Sequence, residues 1–530
     1  MSRYIPFTLV VLLTAAAAVL GVAVAPAYFW ALTVLAPLTL LGLWNLLQRK
    51  HTLMRLYPLS AHLRWAFEWL RPYMREYVLE SDKEGRPFDH DQRGLVYKRS
   101  KDIEGVTPFG TKIDVYSPLY EWINHAVQGH PEGPDDYHVK VGGKDCTRPY
   151  RASVLNISAM SFGSLSGRAI EALNMGARKG GFYQDTGEGG ISDYHLAHGG
   201  DLVWEIGTGY FGCRTEEGRF NPETFAERAA QESVKMVEVK LSQGAKPGHG
   251  GLLPGCKVTP EIAAARDVAV GEDVISPSAH TAFSTPTGML EWIAQLRELA
   301  GGKPVGFKLC IGHYWEFLAI VKAMLKTGIT PDFIVIDGAE GGTGAAPSEL
   351  SNHVGTPLRE GLVFAVNALT GAGLRETVRV AAAGKVYDGH TLAANMALGA
   401  DWCNAARAFM FSIGCVQTRK CHTDRCPTGV ATQNKLRQKG LVVADKGPRA
   451  YNFHCNTVNA LAHYVDAAGL ANPWQLKPHH LRVRLSANEV RSADSIYRYL
   501  APGALVDAPE ETHLARWWAM ADPDSFAPAC

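Results

Sequence analysis

The chain has 530 residues, enough for a membrane anchor plus one large enzyme domain, or for two ordinary domains. Its 53 Lys and Arg against 52 Asp and Glu leave a net charge of +1 without any basic tract, which argues against a nucleic-acid partner. The 53 glycines are scattered at turns, as in a loop-rich α/β enzyme and unlike a low-complexity chain.

Residues 1–50 read as a membrane anchor. No charged residue occurs from Tyr4 to Gln48, and Pro26 divides this stretch into apolar segments, Phe7 to Ala25 and Tyr28 to Leu47. Each is close to the ~20 residues that cross a bilayer as helix. Tyr28, Phe29 and Trp30 fall at the turn, where an interfacial aromatic belt would sit. Arg3 precedes the hairpin and Arg49, Lys50 and Arg55 follow it, which places both ends in the cytoplasm. The expectation is a multi-pass inner-membrane protein with its catalytic domain facing the cytoplasm. Ala23-Val24-Ala25 also resembles a signal-peptide cleavage site; the second segment would then act as a stop-transfer helix with the same outcome.

Residues 51–149 read as a linker or N-terminal extension of polar, aromatic and irregular character. Ser60 to Arg71 predicts a short amphipathic helix, capped by Ser60 and ended by Pro72. Leu63, Phe67 and Leu70 share one face and Arg64, Glu68 and Arg71 the other. That pattern suits packing on the main domain, with a position at the membrane surface as the alternative.

From Tyr150 onward, short apolar runs alternate with helical periodicity. Predicted strands are Ser153–Ile157, Gly181–Gln184, Tyr210–Cys213, Met236–Leu241, Val305–Cys310, Phe333–Asp337, Val378–Ala382 and Asp401–Ala405. Predicted helices between them are Ser166–Arg178, Pro222–Ser233, Met289–Leu299, Glu316–Lys326, Arg359–Leu369 and Thr391–Leu398. Strand–helix alternation implies parallel pairing, and about eight units imply an α/β fold closed as a (β/α)8 TIM barrel. A doubly wound sheet is the alternative, but no Gly-x-Gly-x-x-Gly follows the first strand. Barrel active sites lie at the C-terminal strand ends, and glycine-rich polar stretches fall there: after Ile157, after Gln184, after Leu241 and after Asp337. The last two strands run into Ala383-Gly-Lys385 and Asn404-Ala-Ala-Arg407, where backbone N–H groups and an arginine can cradle a phosphate.

Cys415, Cys421 and Cys426 fall within one short loop, the last followed by proline. Thiolates at such spacing can wrap an iron–sulfur cluster. Three ligands suit a 3Fe-4S centre, or a 4Fe-4S centre with one outside ligand; a structural zinc loop normally has four ligands in tighter pairs. With the other cysteines isolated, the pattern points to a reducing compartment.

Together these motifs resemble the FMN-binding synthase domain of glutamate synthases, most of all the short stand-alone members. The matching stretches are Ala159-Met-Ser-Phe-Gly163, Thr186-Gly-Glu-Gly-Gly190, Gln243-Gly-Ala-Lys-Pro-Gly248, Val258-Thr-Pro-Glu-Ile262, Ile275-Ser-Pro277, Glu340-Gly-Gly-Thr-Gly-Ala345 and the loop from Cys415 to Gln433. The likeness covers about Tyr150 to Thr457. It implies FMN beside a 3Fe-4S cluster, and reduction of 2-iminoglutarate, formed from 2-oxoglutarate and ammonia, to L-glutamate. Carried over by position, Cys415, Cys421 and Cys426 ligate the cluster, and Met160, Ser161 and Gly163 line the flavin. Lys308 sits at the flavin N1/O2 edge. Gly341, Gly342, Thr343, Gly344, Gly384, Lys385 and Arg407 hold the phosphate. Glu188, Gln243 and Lys246 hold the substrate.

Departures from the larger enzymes are Leu252 in place of a glutamine, His249 in place of a carboxylate, and the stretch Leu309-Cys-Ile-Gly-His-Tyr314. Neither an N-terminal glutaminase module nor a C-terminal β-helix is expected, so ammonia would come free or from a separate glutaminase. The resulting plan is anchor 1–50, extension 51–149, barrel with iron–sulfur loop 150–470 and C-terminal extension 471–530. Ferredoxin, a quinone or a reductase subunit would be the electron partner. The alternatives are the same cofactors acting on another imino or keto acid, or a non-catalytic electron-transfer or scaffold subunit.

Overall fold

The computed structural model describes residues 2–103, 105–129 and 136–529. The chain forms two compact units, Met1–Asp91 and Gln92–Cys530. In the first, helices Ile5–Ala23 and Phe29–Leu47 are joined by the 3-10 turn Pro26–Tyr28. Their contacts run antiparallel. Gly42 gives space to the Phe7 ring, Thr14 Oγ1 meets Thr39 Oγ1 at 2.8 Å, and Gly21 gives space to the Phe29 ring. Among the described residues, the segments Ile5–Ala23 and Pro26–Leu47 are long and apolar enough to cross a bilayer.

The following helix runs Ala61–Met74 and continues as a π-helical turn, Arg75–Leu79. Two expectations fail here. Pro72 lies inside the helix instead of ending it, and Ser60 is itself helical with no side-chain cap. Pro72 is exposed, so the carbonyl it leaves unbonded one turn back can turn to water.

The second unit is built on a closed barrel of eight parallel strands: Leu155–Ile157, Gln184–Asp185, Leu202–Ile206, Val234–Lys240, Val305–Leu309, Phe333–Asp337, Arg379–Ala383 and Trp402–Ala405. Helices start where local chemistry directs them. Asn221, Thr259 and Thr285 each cap a helix whose first residue is proline, which needs no N–H partner there. Gly181 and Gly328 close helices in the left-handed region, at φ 66° and 70°.

The third strand departs from expectation. Tyr210–Cys213 is a turn, with Tyr210 at φ 48° and Gly212 at φ 85°, and the strand is Leu202–Ile206. Glu205 interrupts the apolar run there, yet it is buried inside the barrel.

The barrel interior is graded. The antiparallel hairpin of His138–Val141 and Tyr150–Ser153 packs Val139, Val141 and Ala152 against Tyr183, Val203, Met236, Phe333 and Trp402. Because alternate residues of a strand face one way, the next inward positions are Asp185, Glu205 and Glu238, and then Lys240. Apolar packing thus gives way to charge toward the C-terminal ends of the strands. Outside the barrel, helix Val443–Ala467 lies against helices Gly167–Gly180 and Gly389–Ala397, and strand Glu121–Ile123 joins Leu481–Ser486 and Glu489–Ser492 in a small antiparallel sheet.

Candidate active site

The loops after the first two strands form one packed body. A Cβ on Gly187, at φ 64°, would stand 2.6 Å from Ser161 N, so only glycine fits. Met160 and Ser161 are buried, and Gly163 turns at φ 104° beside Leu253, Ile262 and Arg266. Arg266 Nη2 donates to Ser161 Oγ and to Phe162 O, both at 3.2 Å. Burial pushes its guanidinium down to about 10, opposed by Glu188.

Glu188 stands among cations. Lys240 Nζ lies 3.1 Å from Glu188 Oε1. Burial alone would raise this carboxyl, but Lys240 above all, with smaller contributions from Arg266 and Lys246, holds it below its ordinary value. Burial lowers the Lys246 ammonium, with Glu188 opposing. A pocket opens here, lined by Glu188, Thr208, Lys240, Gln243, His249 and Ser278 among others. Gly251 lets the loop approach, since a Cβ there would be 2.6 Å from Glu188 Oε1. Leu252 pairs with Ile275 in a short antiparallel ladder and remains 46% exposed.

Below this pocket, Lys308 Nζ lies 3.1 Å from Glu238 Oε1 and hydrogen-bonds Glu205 Oε2. One ligand oxygen from each of Asp185, Glu205 and Glu238 lies within 4.8 Å of the other two. Three buried carboxylates cannot all stay ionised beside one ammonium. Burial first, and then Glu205, pushes the Glu238 carboxyl up to about 7 despite Lys308. Burial and both glutamates also push Asp185 well above its ordinary value. Against burial, Glu205 and Glu238 hold the Lys308 ammonium well above its own.

The glycine turn after the sixth strand meets Arg407. A Cβ on Gly342 would stand 2.8 Å from Arg407 Cδ, and Arg407 Nη2 donates to Glu340 O. Gly384, at φ 153°, borders Gly338, and Lys385 turns at φ 51°. Thr343 and Gly344 lie exposed at the tip. Gly244 N donates to Asp337 Oδ2 at 2.8 Å, tying the Gln243–Gly248 loop to this turn.

The cysteine loop is stitched to the first-strand loop. Gln433 Nε2 donates to Gly163 O at 3.1 Å and Leu165 O at 3.0 Å, and Ser166 N to Val430 O at 2.9 Å. Gln417, Arg419 and Asp424 all adopt positive φ, near 55–58°, a strain typical of functional loops. Cys421 and Cys426 lie close enough to influence each other and the buried Lys257, whose Nζ donates to Ser164 O at 3.0 Å and Cys421 O at 3.3 Å. Cys415 opens the loop, with its carbonyl held by Tyr97 Oη at 2.7 Å.

The structure therefore places Glu188 and Gln243 in one pocket with Lys246 near by. It sets Met160, Ser161 and Gly163 against that pocket's wall, Gly341 and Gly342 in a turn that meets Arg407, and Lys308 below. Sequence reasoning missed Lys240, Arg266, Lys257 and the carboxylates of Asp185, Glu205 and Glu238. For Lys240, Glu205 and Glu238 a signal existed, charge at inward strand positions; for Arg266 and Lys257 there was none.

Polar chemistry gathered at the C-terminal end of a closed parallel barrel is the organisation of a (β/α)8-barrel enzyme. Residues 143–471 match the family described as a conserved region in glutamate synthase. The chain belongs to the glutamate synthase family. It is 35% identical to the glutamate synthase large subunit-like protein YerD of Bacillus subtilis, over 85% of this chain and 93% of that one. It is 32% identical to the archaeal-type glutamate synthase [NADPH] of Thermotoga neapolitana over 58% of this chain, and spans 57% of that protein's length. Among solved structures, a flavocytochrome b2 variant with sulfite bound aligns over 83% of this chain and 92% of its own, at 12% identity and a TM-score of 0.41.

Proposed function

We propose that the chain is a membrane-anchored oxidoreductase that uses FMN and an iron–sulfur cluster to reduce 2-iminoglutarate, formed from 2-oxoglutarate and ammonia, to L-glutamate. The carrying observation is the charge at the pocket. Lys240 lines the pocket with Glu188, and Lys246 and Arg266 stand near enough to act on that carboxylate, so cations outnumber anions around it. Such a surplus suits a substrate bearing two carboxylates. Lys246 pairs with a substrate carboxylate, Gln243 supplies neutral hydrogen bonds, and Glu188, kept ionised by Lys240, orients ammonia or the imine.

The residues fit both cofactors. Glycine turns at Gly341, Gly342 and Gly384 let the chain pack closely around Arg407 and Leu358, and Arg407 with Lys385 brings positive charge suited to a phosphate. Met160, Ser161 and Gly163 would line the isoalloxazine. Cys415, Cys421 and Cys426 would ligate the cluster, and Lys257 would offset its negative charge. Bound flavin and cluster supply hydride-transfer and single-electron chemistry, respectively. Gln433 holds the cysteine loop to the first-strand loop, which keeps the two cofactor regions at a fixed spacing. The N-terminal hairpin anchors the chain in the inner membrane with its barrel in the cytoplasm, and ferredoxin, a quinone or a reductase subunit brings electrons.

Leu252 favours a second reading. An exposed leucine stands beside the pocket where larger relatives of this fold carry a glutamine, and this suits a less polar keto or imino acid. One experiment separates the two. Anaerobically reduced protein is mixed with 2-oxoglutarate and ammonium, and flavin absorbance and L-glutamate are followed. Reoxidation with stoichiometric glutamate supports the proposal. Reduced flavin left untouched by this pair, but reoxidised by another keto acid with ammonium or by a quinone, overturns it.

A further inference from the structure

We infer that helix Ala61–Met74 with its π-helical continuation Arg75–Leu79 lies in the membrane surface, as an interfacial helix that docks the first unit onto anionic lipid. The inference rests on the reading of the hairpin as a membrane anchor.

The helix is divided by chemistry along its length. At 100° per residue, Leu63, Phe67, Leu70, Met74 and Tyr77 make one continuous apolar stripe. Leu63 is 62% and Phe67 67% exposed, far beyond what a stripe of this composition does when it belongs to a protein core. Arg64, Glu68, Arg71 and Arg75 gather along one flank of the stripe and Glu76 lies further round, so the helix and its continuation carry three arginines against two glutamates. Trp69, 68% exposed and packed on Tyr73 with ring centroids 5.7 Å apart, flanks the stripe at the boundary. Tryptophan and tyrosine at such a boundary are the side chains that settle at headgroup level.

What names lipid as the occupant is the tether. Asn45, 2% exposed near the end of the second apolar helix, donates from Nδ2 to Pro58 O and to His62 Nε2, both at 2.7 Å. The first turn of the amphipathic helix is thereby bonded to the point where the second span ends. The Trp65 ring adds an edge contact to His51, at 6.0 Å between centroids. If the second span crosses a bilayer, these bonds hold the first turn of the amphipathic helix at the level where that span ends. Burial of five large side chains there is favourable, and the three arginines add attraction for anionic headgroups.

The test uses the full chain in nanodiscs. Spin labels are introduced through a genetically encoded keto side chain, which spares the native cysteines, at Leu63, Phe67 and Leu70, at Arg64, Glu68 and Arg71, and at Leu12 within the first span. Collision with oxygen reports lipid and collision with a nickel chelate reports water. At Phe67 the oxygen-to-nickel ratio is expected to exceed that at Glu68 several-fold, and to rise further when phosphatidylglycerol replaces part of the phosphatidylcholine. If the Phe67 label is open to nickel, or shielded from both probes by protein, while Leu12 reads as lipid, the surface-helix proposal fails and the anchor stands. A Leu12 label open to nickel overturns the anchor and this proposal with it.

Discussion

Lys308 Nζ stands 3.1 Å from Glu238 Oε1 at the centre of the barrel, in a layer where Asp185, Glu205 and Glu238 outnumber it three to one. The layer separates the apolar plug from the pocket at Glu188. Its ammonium is therefore committed to internal carboxylates, and any influence on a bound flavin is that of the whole group and not of a lone cation.

That arrangement makes stability depend on pH in a defined direction. Glu238 has a folded value of about 7 against 4.5 in the unfolded chain. Its contribution is complete below pH 4.5 and is lost as the pH rises through about 7, by an amount on the order of 3 kcal/mol. Glu238→Gln removes this titration. The thermal midpoint of the variant should therefore gain on the wild type as the pH is raised from 5 to 8. Parallel profiles for the two proteins would exclude the assignment.

Substitution of serine for Cys415, Cys421 or Cys426 should remove the broad visible absorption of an iron–sulfur centre, because oxygen is a poorer ligand for iron than thiolate. Flavin should remain bound, since the proposed phosphate-holding turns at Gly341, Gly342 and Gly384 lie in other loops. Wild-type protein purified anaerobically with flavin but without iron or acid-labile sulfide would remove the basis for this prediction.

For the anchor, a reporter fused to the C-terminus should be active in the cytoplasm and silent in the periplasm, since basic residues flank both ends of the hairpin. The opposite pattern would reverse the topology. Deleting residues before Gln48 should leave a barrel that keeps its flavin, because the barrel belongs to the unit Gln92–Cys530.

The barrel could be read from sequence wherever a strand is a continuous apolar run. Val305–Leu309 and Phe333–Asp337 fall within a residue of expectation, as do Arg379–Ala383 and Trp402–Ala405. Leu202–Ile206 escaped because an inward carboxylate breaks its run, while the apolar Tyr210–Cys213 bends at two left-handed residues. Loop positions such as Glu188, Gln243 and Lys246 were found through motif resemblance. Their electrostatic partners were not, because Lys240 and Arg266 are ordinary charges in a strand and a helix until the fold surrounds Glu188 with them. Pairing over such sequence distances is a property of strand register, which no local pattern carries.

Lys240 and Lys246 should therefore fail differently. Lys246→Ala should raise the 2-oxoglutarate concentration needed for half-maximal reoxidation of the flavin, since a bound carboxylate loses its charged partner at a cost of about 2–5 kcal/mol. Folding and flavin content should change little, because Lys246 makes no ion pair within 4 Å among the described residues. Lys240→Ala instead leaves the half-buried Glu188 carboxylate without its 3.1 Å partner. The expected loss is one of stability, about 1–3 kcal/mol, together with a Glu188 carboxyl that protonates at higher pH. Adding Glu188→Gln should recover most of that stability without restoring activity. A double variant as unstable as Lys240→Ala alone would show that Lys240 serves packing and not the charge of Glu188.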